Sequence, residues 1–197
     1  MKRRATKEEI LLLVQNLITR DGISAVRVDE IAQRVGISKR TLYELFEDKN
    51  RLVESCLVAM NRQQQQRIAA CRRRTGHALH RVLRLTDEYI EGLFSVDRRF
   101  LTDIRQKVVF ADHYDEHRAY WIDELTRHLE TAREERHLLP EIDIRALVEQ
   151  IVGTLFELRL NHAAREELQF FCRTMIRGAA SRTGIELLDS RPAPQQS

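Results

Sequence analysis

Hydrophobic residues recur three and four positions apart along most of the chain, which is the spacing of one face of an α-helix. The first such series lies between Thr6 and Gly22. Thr6 and Glu9 are spaced as a capping box, in which a hydroxyl and a carboxylate satisfy the free amides of a first helical turn. Gly22 accepts the left-handed conformation that ends many helices. The inner face of this predicted helix consists of Ile10, Leu13, Val14, Leu17 and Ile18.

Two short helices are predicted next, over about 28–35 and 39–46, with a three-residue turn between them. The turn begins with Gly36 and ends with Ser38, which is a good N-cap residue for the second short helix. Asp48 is placed to cap a long fourth helix that continues to about residue 72.

Five further helices are predicted over about 77–95, 97–110, 114–137, 142–163 and 165–184, with no persistent alternation typical of strands. The breaks between them are marked by Thr75-Gly76, Asp112-His113, Leu139-Pro140 and Ala163-Ala164. The pattern predicts an all-α protein of about nine helices. It has a three-helix head over 1–52, a larger helical bundle over 53–184 and a flexible tail over 185–197.

The segment 28–46 has the form of a helix-turn-helix, in which the second helix enters a groove of DNA. Its inward apolar residues are Ile31, Ala32, Val35, Ile37, Leu42 and Phe46. Lys39, Arg40, Thr41 and Glu44 are left on the outer face of the second helix. Residues near the start of such a helix reach base edges first, and Lys or Arg there can bond guanine.

The fixed spacing of many residues identifies a family resemblance over about residues 6–53. The motif is Gly22-x8-Ile31-Ala32-x3-Gly36-Ile37-Ser38-x2-Thr41-Leu42-Tyr43-x2-Phe46-x2-Lys49-x2-Leu52. It resembles the N-terminal domain of the TetR family of bacterial transcriptional regulators. The resemblance implies a regulator that binds double-stranded DNA at a palindromic operator.

The resemblance implies roles for particular residues of the head. Ser38, Lys39, Arg40, Thr41 and Tyr43 fall on the recognition helix, where Tyr43 matches a residue that contacts the phosphate backbone. Lys49 matches a second phosphate contact, although a surface lysine and, for Tyr43, a core aromatic are the alternatives.

Three positions depart from the family pattern, and the first residues of the chain are a further candidate for contact with DNA. Arg27 replaces the usual capping Thr and is a candidate phosphate contact, Arg40 replaces a usual Gly or Pro, and Leu45 replaces a usual His. Arg3 and Arg4 are candidates for a flexible arm that enters a neighbouring groove, with a plain disordered start as the alternative.

The charge distribution agrees with a nucleic-acid-binding head. The first 52 residues hold 11 Lys and Arg against 8 Asp and Glu, whereas residues 53–197 hold 22 of each. Four of the five lysines lie within the first 49 residues, and only Lys107 lies beyond them. An excess of positive charge in a compact module is typical of contact with an anionic polymer, although an excess of three is also compatible with chance.

The resemblance implies that the C-terminal part forms a homodimer through its last two long helices. Two hydrophobic stripes in those helices support this interpretation, with the core of a single chain as the alternative. The predicted interface residues are Leu147, Ile151, Leu155, Leu168, Cys172, Met175 and Ala179.

The resemblance also implies a pocket for a small-molecule ligand of unknown identity in the C-terminal part. Seven of the twelve aromatic residues lie between Tyr89 and Trp121, and ligand pockets are rich in such residues. The predicted lining residues are Tyr89, Phe94, Phe100, Trp121 and Phe156, with ordinary core packing as the alternative for each.

Metal binding, redox sensing and enzyme activity have weaker support in the sequence. His113-x3-His117 and His77-x2-His80 suggest a metal only faintly, because no cysteine adjoins either pair. Cys71 lies beside three arginines, which raises redox sensing as an alternative for a three-cysteine chain that lacks CxxC. Nucleotide-binding and hydrolase motifs are not found, so we predict no enzyme, no cofactor and no metal.

The sequence thus predicts a cytoplasmic regulator, because an odd number of cysteines suits a reducing compartment. No apolar stretch approaches the about 20 residues of a membrane span, so no membrane partner is expected. The main hypothesis is a homodimeric repressor that a small ligand releases from its operator. The alternatives are a helical dimer that acts through protein partners and a metal-sensing or redox-sensing regulator.

Overall fold

The computed structural model describes residues 6–72 and 76–190, with only the backbone described at 70–72. Within this part the chain is helical, and its only β-type pairing is an isolated bridge between Leu138 and Ala180. The helices are α1 (Lys7–Asp21), α2 (Val28–Val35), α3 (Lys39–Phe46), α4 (Lys49–Arg72), α5 (Ala78–Phe94), α6 (Arg98–Gln106), α7 (Ala111–Glu134), α8 (Ile144–Leu160), α9 (Arg165–Ala179) and α10 (Arg182–Asp189). Two 3₁₀ turns occupy Ile23–Ala25 and Val108–Phe110.

The first four helices begin where the sequence predicts them. The Thr6 hydroxyl accepts from the Glu9 amide, and the Glu9 carboxylate accepts from the Thr6 amide, so the capping box is confirmed. Ser38 caps α3 by accepting from the amide of Thr41, and Asp48 accepts from the amide of Arg51 at the start of α4. Side chains that satisfy first-turn amides therefore fix the register of the head.

The predicted helix over 97–110 is wrong in its second half. α6 ends at Gln106, the backbone at Lys107 is extended, and a 3₁₀ turn ends at the buried Phe110. The predicted break at Asp112-His113 is also wrong, because α7 begins at Ala111 and continues through it. An acidic residue in a first helical turn complements the helix dipole, so Asp112 belongs to a helix start.

The predicted flexible tail is wrong for residues 185–189, which lie in α10. Ser181 caps α10, and its amide donates to the carbonyl of His137 at 2.9 Å. A Cβ atom at Gly184 would lie 2.1 Å from that same carbonyl oxygen, so only glycine fits there. Close packing on the segment before α8 therefore places a helix where the sequence suggested loose chain. Residues 191–197 lie outside the described residues.

The chain divides into two compact units. The first contains the chain up to residue 69 together with 95–117, and the second contains 70–94 and the chain from 118 onward. The compact units thus place α6 with the helix-turn-helix, whereas the sequence divides the chain at residue 52. The functional division at that residue remains a prediction.

The first unit is built on α1, whose inner face the sequence predicted correctly in the main. Ile10, Val14, Leu17 and Ile18 are buried, whereas Leu13 is half-buried. The inner faces of α2 and α3 and the start of α4 add Ile31, Ala32, Leu42, Phe46, Leu52 and Val53 to this core. The helix-turn-helix therefore has its own hydrophobic support.

The second unit packs α5 against α8 and α9. Its largest buried side chain is Trp121, and the inner face of α5 contributes Leu79, Val82 and Ile90. Among the described residues, no helix combines the length and the low charge that crossing a membrane requires.

Candidate DNA-binding site

The turn between α2 and α3 has the geometry of a helix-turn-helix. Gly36 has a φ of 71° and lies in the left-handed region, where glycine carries no steric penalty. The amide of Ile37 then donates to the carbonyl of Ala32 at 3.0 Å, which closes the end of α2. Because Ile31, Ala32, Leu42 and Phe46 are buried, the opposite face of α3 is directed outward.

The first turn of α3 is cationic and accessible. The side chain of Lys39 is 58% exposed, and that of Arg40 is 88% exposed. Ser38 is exposed and Thr41 is partly exposed, with their hydroxyl oxygens 2.9 Å apart. The predicted recognition residues therefore share one surface at the start of a helix.

Exposed carboxylates hold both cations. Lys39 Nζ lies 2.6 Å from Asp29 Oδ1, and Arg40 Nε lies 3.0 Å from Glu44 Oε1. The hydrogen bond that Lys39 donates to Asp29 raises the pKa of Lys39, so this side chain is protonated at neutral pH. Both pairs are open to water, where such pairs are weak and exchangeable.

Tyr43 and Arg27 also lie on the surface of the head. Tyr43 is 45% exposed, so it is not a core aromatic. Arg27 precedes α2 with an extended backbone and makes no side-chain cap bond, as its sequence position predicted. Both side chains are available to a phosphate.

Lys49 stands at the start of α4 and is half-buried. Burial lowers its pKa, and the positive charges of Arg27 and Lys107 lower it further, while Asp103 acts in the opposite direction. The structure thus brings two predicted residues, Arg27 and Lys49, into one electrostatic group. Lys107 also acts on Lys49, and the sequence did not predict this. The one sign in the sequence is that Lys107 is the single lysine beyond residue 49.

The predicted ligand-pocket residues are divided between the two units. Tyr89, Trp121 and Phe156 are buried in the second unit, where the Tyr89 and Trp121 rings lie 5.1 Å apart. Phe94 belongs to the same unit and is half-buried. Phe100 is buried in the first unit. The ligand roles of all five residues remain predictions.

Phe94 has a distinct environment within the second unit. The Arg159 guanidinium lies 4.5 Å and that of Arg165 lies 5.0 Å from the centre of its ring. The ring face is thus occupied by two cations of this chain.

The sequence pairs His113 with His117, but it gives no sign of their polar surroundings in the first unit, because the partner comes from a different helix. His117 Nε2 of α7 lies 2.8 Å from Gln64 Oε1 of α4, and burial lowers the His117 pKa to about 4. His113 Nδ1, one turn earlier, is buried without a hydrogen-bond partner. An unsatisfied buried nitrogen is rare in proteins, so His113 is an unusual feature of this unit.

The stripe predicted as a dimer interface lies mainly inside the chain. Ile151, Leu155, Leu168, Cys172 and Ala179 are each at most 3% exposed, so the core of the second unit already covers them. Leu147 and Met175, the other two predicted residues, are half-buried. Five of the seven predicted side chains are thus covered within the single chain, and the role of the stripe in a dimer interface remains a prediction.

A neighbouring surface of α8 and α9 is accessible instead. Phe170 is 73% exposed, and Gly178 lies two turns later on the exposed side of α9. A Cβ atom added at Gly178, or at Gly153 of α8, would meet nothing within 4 Å. We define Phe170, Gly153 and Gly178 as the α8–α9 outer surface.

The metal and redox alternatives gain no support from the described residues. They contain no cluster of three or more His, Cys, Asp or Glu side chains arranged to hold a metal ion. Burial raises the pKa of Cys56 to about 12 and that of Cys172 to about 11, so both thiols are protonated and poorly reactive at neutral pH. The side chain of Cys71, like Arg3 and Arg4, lies outside the described residues.

A supported helix-turn-helix with an outward cationic first turn is the arrangement typical of DNA-binding regulators. Residues 15–56 match the family model of bacterial regulatory proteins, tetR family. The resemblance of the N-terminal domain to the TetR family, predicted from the sequence, is thereby confirmed over these residues. Comparison with curated proteins gives no match.

Solved structures share the fold over most of the chain. A TetR transcription regulator from Haloarcula marismortui has a TM-score of 0.78 at 16% identity, covering 89% of this chain and 98% of its own. A TetR-family regulator from Agrobacterium tumefaciens has a TM-score of 0.73 at 21% identity, covering 89% and 97%. A protein from Saccharomonospora viridis, in complex with choline, has a TM-score of 0.78 at 18% identity, covering 89% and 98%. The all-α fold predicted from the sequence is thereby confirmed.

Proposed function

We propose that this protein is a homodimeric transcriptional repressor that binds a palindromic operator and is released by a small-molecule ligand. The accessible cationic first turn of α3 carries the proposal. Two recognition helices enter successive major grooves about 34–36 Å apart. Lys39 and Arg40 contact base edges, while Tyr43, Arg27 and Lys49 contact phosphates.

The proposed dimer uses the α8–α9 outer surface. A phenylalanine with a side chain open to water favours burial against a partner, and the uncovered glycines allow two helices to approach closely. Two helices from each copy form a four-helix interface. This arrangement agrees with the role of the last long helices that the sequence resemblance implied.

The DNA-binding assignment is tested with duplexes that the wild-type protein recovers from random-sequence DNA. Lys39→Ala and Arg40→Ala each lower the preference for the recovered sequence over a scrambled one, by about 1–3 kcal/mol for a bidentate base contact. Lys49→Ala weakens binding to both duplexes about equally, because phosphate contacts carry no direct sequence information. Arg20→Ala removes an exposed charge from the end of α1 and serves as the control. Unchanged affinity and preference in all three variants would reject the assignment.

The ligand response is tested with the single tryptophan of the chain. Trp121 is fully buried beside Tyr89, so a ligand that rearranges the second unit changes its fluorescence. Compounds that change this signal are then added to the DNA complex, and those that favour the DNA-free conformation release the duplex. Choline is included because the S. viridis structure holds it and because aromatic ring faces bind quaternary ammonium groups.

The operator position decides between a repressor and an activator. A reporter carrying the recovered sequence over its promoter falls in expression when the protein is present if it represses. A rise in expression identifies an activator. A helical dimer that acts only through protein partners shows no salt-dependent duplex binding at all.

A further inference from the structure

Helix α6 is distant from the helix-turn-helix in sequence but is fastened to the segment that leads into α2. The amide of Asp97 donates to the carbonyl of Thr19 at 2.6 Å. The Asp103 carboxylate accepts from the amide and the hydroxyl of Ser24, each at 2.8 Å. A Cβ atom at Gly22 would lie 3.0 Å from the Cβ of Arg99, so backbone and helix are in close contact. Helix α6 therefore has a fixed position beside the 3₁₀ turn Ile23–Ala25, which leads into α2.

Lys107 follows directly after α6, at the point where the chain turns outward. Its side chain is 37% exposed, and its Nζ lies 3.6 Å from Asp103 Oδ1. The next residue, Val108, is 90% exposed, so this turn projects into solvent. Asp103 thus holds α6 against Ser24 and directs Lys107 at the same time.

Lys107, Arg27 and Lys49 form a group that we name the α6 cation cluster. The charges of Arg27 and Lys107 each lower the pKa of Lys49, and the salt bridge between Lys107 and Asp103 places Lys107 on the same side of α6 as Ser24. Asp103 is the acid that acts on Lys49 in opposition. One carboxylate among three cations leaves an excess of positive charge, which an anion from outside neutralises.

We propose that Lys107 contacts a backbone phosphate of the operator together with Arg27 and Lys49, so that the DNA interface extends from the helix-turn-helix to the end of α6. The inference rests on the proposed DNA-binding function. Arg27 and Lys49 already flank the helix-turn-helix, and α6 brings the third cation to them. The contact contributes affinity without sequence preference, because every duplex presents the same phosphates.

The test is the salt dependence of duplex binding by the full chain. Each phosphate contact contributes about 0.9 to the slope of log K against log salt concentration. Lys107→Gln removes the charge and keeps most of the stem, so its slope is smaller by about 0.9. Between 50 and 200 mM salt its affinity then falls about 3.5-fold less than that of the wild type. Lys107→Arg restores the wild-type slope.

The matched control is Arg105→Gln, which removes one exposed positive charge from α6, two residues before Lys107. Its slope stays at the wild-type value if the contact is specific to Lys107. The same loss in both variants would show a general field effect and overturn the inference. Equal slopes for the wild type and Lys107→Gln overturn it as well, while duplex binding itself leaves the proposed function intact. A wild-type chain that binds no duplex overturns both.

Discussion

At the scale of single residues, Gly184 shows how one missing side chain sets the position of a helix. The carbonyl of His137 occupies the place of its Cβ atom, and the same carbonyl accepts from the amide of Ser181. A hydrogen-bonded backbone oxygen cannot move aside without losing its partner. Whether a larger residue fits at position 184 therefore depends on the backbone of His137 and not on a flexible side chain.

Gly184→Ala is expected to lower the free energy of unfolding by about 1–3 kcal/mol, the usual cost of forcing atoms into a packed site. Urea denaturation measures this change. Glu186→Ala, at an exposed position of the same helix, is the control and changes stability by no more than about 0.5 kcal/mol. Equal stability of the alanine variant and the wild type would contradict the close contact.

His117 is a second residue with a measurable consequence. Burial lowers its pKa in the folded chain to about 4, below the ordinary value of 6.5, so the folded state favours the neutral ring. The contribution of the neutral His117 ring to the free energy of unfolding is fully present above pH 6.5. It is lost as the pH falls toward 4, because the unfolded chain then binds a proton that the folded chain does not.

Lowering the pH from 7 to 5 is expected to reduce the stability of the wild type by about 1–2 kcal/mol more than that of His117→Gln. The comparison uses urea denaturation of both proteins at each pH. Glutamine retains a hydrogen-bonding group near Gln64 without titrating. Parallel loss of stability in the two proteins would show that His117 is not the responsible group.

At the scale of elements, capping residues in the sequence predicted where helices begin better than other signals predicted where they end. Thr6, Ser38 and Asp48 each bond the backbone of their own first turn, so four consecutive residues contain the whole interaction. The start of α10 depends on contacts with a distant segment, because the amide of Ser181 donates to the carbonyl of His137. Sequence patterns within one window carry no information about those contacts.

Thr6→Ala is expected to lower stability by about 1 kcal/mol through loss of the α1 cap. Hydrogen exchange in the first turn of α1 is expected to become faster, while exchange in α5 changes only as global stability does. Thr174→Ala removes a hydroxyl from an exposed position inside α9 and is the control. Unchanged exchange at the amide of Glu9 would show that the capping box is not formed in solution.

At the scale of the whole molecule, the sequence predicted the head almost completely and the body only in outline. The head is a set of short helices around α1, and its spacing matches a family model. In α8 and α9 the apolar stripes were strong enough to place the helices, but not to separate intrachain core from outer surface. Ile151 and Phe170 are both hydrophobic, yet the first is buried and the second is open to water.

Phe170→Asp is expected to convert the proposed dimer into a monomer, because a carboxylate cannot be buried there without a partner. Sedimentation measures the assembly, and operator affinity falls with it, since the two half-sites are no longer bound together. Val58→Asp introduces the same charge at an exposed apolar position of α4 and leaves the dimer intact. A dimeric Phe170→Asp protein would place the interface elsewhere.

The carboxylates beside the recognition residues have a consequence for how the protein searches DNA. In the proposed complex a duplex needs the cations of Lys39 and Arg40, which Asp29 and Glu44 already hold, so these two carboxylates compete with each phosphate. A duplex of the wrong sequence forms too few contacts to offset the free energy of breaking these ion pairs, and it therefore dissociates quickly. Asp29→Asn is accordingly expected to tighten binding to scrambled duplexes more than to the operator, and a gain confined to the operator would contradict this competition.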